Sequence, residues 1–402
     1  MTNLFTIKEL KEKGAKRVVL EYITEQDPSI PIPRTVDLED REGIIVRSDH
    51  WREFDSFYGI FESVPLHKTY ESGRLDNIYE SLVPDLNTAK RIMMLQKISG
   101  DDKVQWEMKE RKKLFKYYCK VRGLNPQEVL DELKLFPQEY MRSEKKGTIF
   151  QHPNVPDRFF IFMSSEGHRT SEALVFDFDK KVNPYKAYRI TEEIDPSLLS
   201  EINLKKTQEI VELYNKITSM DKLKDGFSWM MEFTLEPTYV LQLRRFRKFE
   251  DGSNIECSWK NEENVFKTGL SLGITNSHGL TLPFIANRYG WHFPYGYDDN
   301  FTRPVHNLNK KSADGFAVSD SYSHYLTTFY PNLKAVMGID PQKMANHGNL
   351  ENLSTVPLFL FQMKRELKKA FPDFDKKFND ANSVMKVFSN GREGLVKILE
   401  NH

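Results

Sequence analysis

The sequence predicts a mixed α/β (α+β) fold in two domains, and three observations carry that prediction. The chain has 402 residues, enough for two or three domains. Segments with helical periodicity interleave with segments rich in branched and aromatic residues. A turn signal, Asp251-Gly252-Ser253-Asn254, follows the polar run Arg247-Lys248-Phe249-Glu250, which divides the chain into 1–250 and 251–402.

In the first domain, residues 5–24 place Leu10, Val18, Val19, Leu20 and Ile23 among Lys and Glu, a helical pattern. Ile30-Pro31-Ile32-Pro33 forces an extended segment, because proline fixes φ and restricts the residue before it. Gly43 to Ser48 reads as a strand that runs into a polar loop, Asp49 to Asp55. Arg47, leaving the end of that strand, is placed either to aim a guanidinium at phosphate or to form an edge salt bridge. Residues 65–135 read as a charged, mostly helical insert, in which the basic run Trp106 to Arg122 has the character of a solvated helix face. Asn125-Pro126-Gln127-Glu128 starts a helix: a capping Asn, a proline in the first turn, and a Glu placed to cap back. Gly147 to Met163 reads as an extended unit and Ser171 to Asp177 as a strand. Residues 197–217 form an amphipathic helix with one stripe of Leu198, Ile202, Ile210, Val211, Tyr214 and Ile217 among others.

The stretch Ser228 to Phe246 follows. It predicts two apolar strands joined by a short turn at Glu236-Pro237-Thr238. Polar residues interrupt the apolar runs: Glu232 in the first strand, Gln242 and Arg244 in the second. A carboxylate and an amide oxygen on adjacent strands can share a hard divalent cation such as Mg²⁺. Arg244, two residues after Gln242, lies on the same strand face and can reach a phosphate that the metal also touches. The same residues equally suit an ordinary hairpin with a surface Glu, Gln and Arg.

In the second domain, Asp314 to Val318 and Lys334 to Met337 read as short strands, and Asn390 to Leu399 closes the chain. Residues 262–310, rich in Gly, Asn, His and aromatics, receive no assignment.

Composition narrows the function classes. Lys plus Arg and Asp plus Glu number 58 each, so the formal charge is zero and a dedicated nucleic-acid binder is not expected. No apolar run reaches the length of a membrane span, and no signal peptide is indicated at the N-terminus. Cys119 and Cys257 show neither metal-ligand nor disulfide spacing, so a reducing, cytoplasmic setting is expected.

Several motifs gain meaning from their order: Lys13-Gly14-Ala15, Ile30-Pro31-Ile32-Pro33, Val46-Arg47-Ser48 with Glu53, Ser56-Phe57-Tyr58-Gly59, Gln138-Glu139-Tyr140-Met141, Glu172-Ala173-Leu174-Val175, Glu232-Phe233 and Leu241-Gln242-Leu243-Arg244. In the second domain Asp314 to Val318, Asn346-His347 before Val356-Pro357, and Gly391 to Leu399 continue the series. The chain thereby resembles the phosphoenolpyruvate synthase, pyruvate phosphate dikinase and rifampicin phosphotransferase group, without that group's phosphoenolpyruvate-binding barrel. The chain departs from the group at Lys11-Glu12, where the group has Gly-Gly, in a shorter segment between Pro33 and Val46, at Asp49 in place of the second Ser of Val-Arg-Ser-Ser, and at Gln342-Lys343-Met344-Ala345-Asn346, where the group has Gly-Gly-x-x-Ser/Thr around its histidine.

The resemblance implies an ATP-grasp nucleotide-binding domain followed by a smaller swivelling β/β/α domain that carries a phosphohistidine. It implies ATP and Mg²⁺ as cofactors and an unidentified small molecule as acceptor. Lys13 and Arg47 would hold phosphates, and Gln138, Glu139, Tyr140 and Met141 would form the hinge against adenine. Glu232 and Gln242 would hold Mg²⁺, Arg244 would neutralise the transferred group, and His347 would be the covalent carrier. His278 is the second-ranked histidine. The acceptor pocket is expected within 262–310, around Asn276, His278, Trp291, His292 and Tyr295, and the second domain is expected to move on the 247–262 segment. A catalytically degenerate regulatory nucleotide-binding protein and an ATP-grasp ligase without a phosphohistidine are the alternatives.

Overall fold

The computed structural model describes residues 5–36, 44–54, 64–65, 119–120, 123–141, 143, 145–156, 158–165, 171–177, 186–189, 192–194, 204–251, 254–267, 271–281, 315–319, 333–338, 358–360, 384–391 and 393–399. Their architecture is mixed α+β. Two compact units are interleaved in sequence. The first takes Met1–Lys146, Ser219–Asp225 and Met231–Arg245; the second takes Gly147–Thr218, Gly226–Met230 and Phe246–His402. They are thus drawn differently from a single division at residue 250.

The first unit opens with α1 (Ile7–Lys13) and α2 (Ala15–Gln26). Thr6 and Glu9 form a capping box at the start of α1, so two orphan amides are satisfied at once. The uninterrupted helix expected over 5–24 is therefore two helices. Gly14 breaks it at φ +96°, a conformation that glycine adopts without strain. The break seats the start of α2 on β1 (Ile44–Asp49), where the Asp49 carboxylate accepts from Lys16 N at 3.0 Å and Arg17 N at 2.9 Å. A Cβ on residue 14 would lie 2.3 Å from the Asp49 carboxyl carbon, so the close approach also demands glycine. The polar loop expected from Asp49 is shorter than predicted: Asp49 ends the strand and Trp51–Phe54 form a 3-10 turn.

β1 is the central strand of a three-stranded sheet, between β2 (Val64–Pro65) and β3 (Lys134–Glu139). It pairs antiparallel with β3 from Ile44 opposite Glu139 to Asp49 opposite Lys134. α3 (Pro126–Glu132) precedes β3 and starts at the predicted Asn cap and proline: Asn125 Oδ1 accepts from Gln127 N at 2.9 Å, while Glu128 Oε1, expected to cap back on the backbone, accepts from the Asn125 side-chain nitrogen. The expected extended segment is present at Ile30–Val36. Its carbonyls and amides reach two strands: Val36 N donates to Pro137 O, Glu139 N to Arg34 O, and Val240 N to Pro31 O.

The remaining strands are β4 (Lys145–Gln151), β5 (Arg158–Ser165), β6 (Ser171–Asp177), β7 (Lys186–Arg189), β8 (Glu192–Ile194), β9 (Phe227–Leu235) and β10 (Tyr239–Lys248). They form one sheet in the order β10-β9-β4-β5-β6-β7-β8. Within the second unit α4 (Leu204–Thr218) docks through Tyr214, whose hydroxyl donates to Trp229 O at 2.7 Å and accepts from Trp229 N at 3.2 Å. Burial pushes that phenol up to about 12.

A third sheet contains β11 (Val265–Lys267), β12 (Ser271–Leu272), β13 (Ile274–Thr281), β14 (Gly315–Ser319), β15 (Leu333–Gly338), β16 (Leu358–Leu360), β17 (Val384–Asn390) and β18 (Gly394–Leu399). Its order is β11-β18-β17-β13-β14-β15-β16-β12, parallel from β13 to β16 and antiparallel elsewhere. Strands β11 to β13 thus occupy part of the stretch that the sequence left without assignment. The closing run Asn390 to Leu399 is the β17–β18 turn and its second strand.

A buried amide ties this sheet to the β4–β5 turn. Asn154 Oδ1 accepts from Gly273 N at 3.0 Å and Asn154 Nδ2 donates to Glu250 O at 2.9 Å. Glu250 N donates to Pro153 O at 3.2 Å, and Phe249 N to Gly226 O at 2.8 Å. The start of the 247–262 segment, expected to be a hinge, is therefore hydrogen-bonded on both sides of the peptide at Glu250. No helix among the described residues is long and apolar enough to cross a membrane.

Candidate functional site

The hairpin expected at 228–246 is present as β9 and β10, neighbours in their sheet. Thr234 closes its turn: the hydroxyl donates to Pro237 O at 2.7 Å and accepts from Tyr239 N at 3.1 Å. That register places Glu232 beside Gln242, and Gln242 Nε2 donates to Glu232 Oε1. A surface hairpin is excluded, because Glu232 is 7% exposed, Gln242 6% and Arg244 8%.

The Gln242 amide has one orientation. Its nitrogen must face the carboxylate, since its oxygen would repel it. The amide oxygen, Oε1, is buried and has no hydrogen-bond partner among the described residues. A buried acceptor left unbonded costs about 1–3 kcal/mol. The orphaned oxygen and the neighbouring carboxylate are hard oxygen donors of the type that Mg²⁺ takes. Mg²⁺ is commonly held by one or two protein oxygens, with waters and substrate phosphates completing its shell. Among the described residues no group of three or more His, Cys, Asp and Glu could hold a metal ion.

Strand alternation separates the arginine doublet. Arg244 shares the face of Gln242. Arg245 turns the other way, bonds Asp225 at 2.5 Å and lies over the Phe54 ring with its guanidinium carbon 4.2 Å from the centroid. Sequence offered two adjacent arginines; the pleat assigns one to the polar face and one to the core.

Arg47, in the central strand β1, is 8% exposed, and its Nε donates to Gln138 Oε1 at 3.0 Å. Gln138 is fully buried and donates through Nε2 to Pro33 O at 3.3 Å. Gln138 and Glu139 of the expected hinge lie at the end of β3, and the Glu139 N–H donates to Arg34 O. Tyr140 and Met141 follow the strand, and the Tyr140 ring carries Lys146 Nζ 5.0 Å from its centroid.

Lys13 is the last residue of α1, half exposed, and pairs with Glu21 at 2.7 Å. Lys16, three residues on, is partly buried and pairs with Glu53 at 2.8 Å. Lys16, Asp49 and Glu53 form a polar cluster that sequence reasoning missed. The one signal available was Asp49 in place of a small hydroxyl residue. The Lys16 ammonium pairs with Glu53 while Asp49 accepts from backbone amides, and burial lifts Asp49 from its ordinary 3.8 to about 7; the Lys16 charge opposes that rise and Glu53 adds to it.

His347 lies outside the described residues, as do Trp291, His292 and Tyr295. His278 stands on β13 opposite Lys386, a strand position and not a loop. His152 is fully buried and structural: its Nδ1 accepts from Asn154 N at 3.0 Å.

Neither a protein-family model nor a curated protein matches this chain in sequence.

Proposed function

We propose that the chain is an ATP-dependent phosphotransferase with an ATP-grasp-like nucleotide site, which passes a phosphoryl group through His347 to a small-molecule acceptor. One observation carries the reading. Glu232, Gln242, Arg244 and Arg47, which the collinear motifs assign to metal and phosphate, are all buried polar side chains of the first unit. They stand on three strands, β1, β9 and β10, and are the side-chain types that hold a divalent cation and a phosphate.

In this reading Mg²⁺, when bound to Glu232 and Gln242, supplies positive charge against the phosphate oxygens. Arg244 stabilises charge on the transferred group, and Arg47 grips phosphate as a fork. Such transfer is mostly positioning and electrostatics, and the imidazole of His347 serves as the nucleophile near neutral pH. A swivelling second domain would carry the phosphorylated imidazole to its acceptor.

The test is incubation with ATP labelled at the β- or γ-phosphate, followed by a search for acid-labile, base-stable label on protein. The expected outcome is label on wild type and none on His347→Ala, with ATP binding retained. Normal labelling of His347→Ala removes the carrier assignment. Absence of label on wild type, with ATP bound, favours the ligase or regulatory alternatives.

A further inference from the structure

From the hydrogen bonds around Gln138 we infer that this side chain is a positioning residue for Arg47; the inference rests on the ATP-dependent reading. The sequence assigned Gln138 to a hinge whose backbone would meet adenine. Its side chain instead sits between two groups of fixed polarity. Arg47 Nε can only donate, and Gln138 Oε1 accepts from it at 3.0 Å. Pro33 O can only accept, and Gln138 Nε2 donates to it at 3.3 Å. A primary amide satisfies both at once, and it does so in one orientation only.

The consequence falls on the guanidinium. Arginine presents two edges for paired hydrogen bonds: one includes Nε–H, the other joins the two terminal nitrogens. Gln138 engages Nε and so restrains the plane of the guanidinium that the ATP-dependent reading sets against phosphate. Full burial of Gln138 removes water as a competitor for that bond.

The other end of the amide is anchored as firmly. Pro33 belongs to the Ile30–Val36 segment, whose Pro31 carbonyl accepts from Val240 N of β10 at 2.8 Å. β10 carries Gln242 and Arg244. Pro31 and Pro33 have no N–H to satisfy, so in this segment they serve as acceptors alone. The chain of bonds Arg47–Gln138–Pro33, then Pro31–Val240 along the segment, links the arginine of β1 to the strand that holds the other two site residues.

Calorimetric titration of full-length protein with Mg·ATP and with AMP tests this. Wild type should bind ATP more tightly than AMP. Gln138→Leu should lower ATP affinity about tenfold, the scale of one hydrogen bond to a charged group, and leave AMP affinity unchanged. In an Arg47→Ala background the same substitution should cost nothing further, because its partner is gone. Gln138→Glu keeps the acceptor for Arg47 but neutralises the fork, and should lose at least as much for ATP; it serves if Gln138→Leu does not fold. Equal losses for ATP and AMP, or full additivity with Arg47→Ala, overturns the inference while leaving the ATP reading intact. A wild type that shows no preference for ATP overturns both.

Discussion

At the scale of single residues, Asp49 and Glu232 are buried carboxylates with opposite consequences. Asp49 has its pKa raised to about 7 from 3.8. Between those values the folded chain holds a proton that the unfolded chain releases, so stability from this group is complete below about pH 4 and lost as pH rises through about 7. The slope approaches 1.4 kcal/mol per pH unit at most, roughly, since one pKa unit is worth that much. Asp49→Asn removes the ionisation, so the variant should gain on wild type as pH rises from 5 to 7.5 in urea unfolding. A constant difference between the two proteins would show that Asp49 does not titrate in that window. Glu232 is not the exposed carboxylate that sequence suggested. Glu232→Ala strips the Gln242 amide of its acceptor and should cost about 1–3 kcal/mol. Glu232→Gln keeps that acceptor and should unfold near the wild-type temperature, yet lose the Mg²⁺ dependence of ATP binding. Calorimetry with and without Mg²⁺ reads the difference; unchanged Mg²⁺ dependence in Glu232→Gln removes the metal assignment.

At the scale of elements, the joint between α1 and α2 shows how one glycine sets a boundary. Hydrophobic periodicity runs through residues 5–24 without interruption, because both helices bury the same stripe. Only Gly14 marks the break, and it does so through a contact with Asp49, which is distant in sequence. Gly14→Ala forces a side chain into a positive-φ position and against a buried carboxylate. The expected loss exceeds the roughly 1 kcal/mol of an ordinary glycine effect, whereas Gly123→Ala, at φ +64° with open space around it, should cost less. Denaturant midpoints of the two variants check the order. The cap of α3 is a local feature by contrast. Asn125→Ala should cost about 1 kcal/mol, the usual worth of an N-cap, whatever the rest of the chain does.

At the scale of the whole molecule, polar bonds of the second unit join its segments where they meet among the described residues. Asn154 joins Gly273 at the head of β13 to Glu250 after β10. Gly391, at φ +83°, lies where a Cβ would come within 2.2 Å of Asn154 Cβ, so the β17–β18 turn presses on the same side chain. Ser389 Oγ donates to Gly273 O at 2.6 Å and accepts from Gly391 N at 3.1 Å. Asn154→Ala should therefore raise amide exchange at Gly273 and Gly391 together, while exchange in α2 stays at the wild-type rate. Loss of protection confined to residue 154's own loop would show that the amide does not join these segments.

The sequence by itself determined the features that arise from neighbours in the chain. These are the α3 cap, the extended Pro31–Pro33 segment, the β9–β10 hairpin, and the face shared by Gln242 and Arg244. Each depends on a period, a cap or a fixed φ within a few residues. Only the tertiary structure decided the rest. It made Glu232 and Gln242 buried, sent Arg245 to Asp225 and Phe54, paired the partly buried Lys16 with Glu53, and set the Gln138 side chain against Arg47. The physical reason is the same in each case. Burial and hydrogen-bond polarity depend on what packs opposite a side chain, and those partners, such as Arg47 and Gln138, stand 91 residues apart.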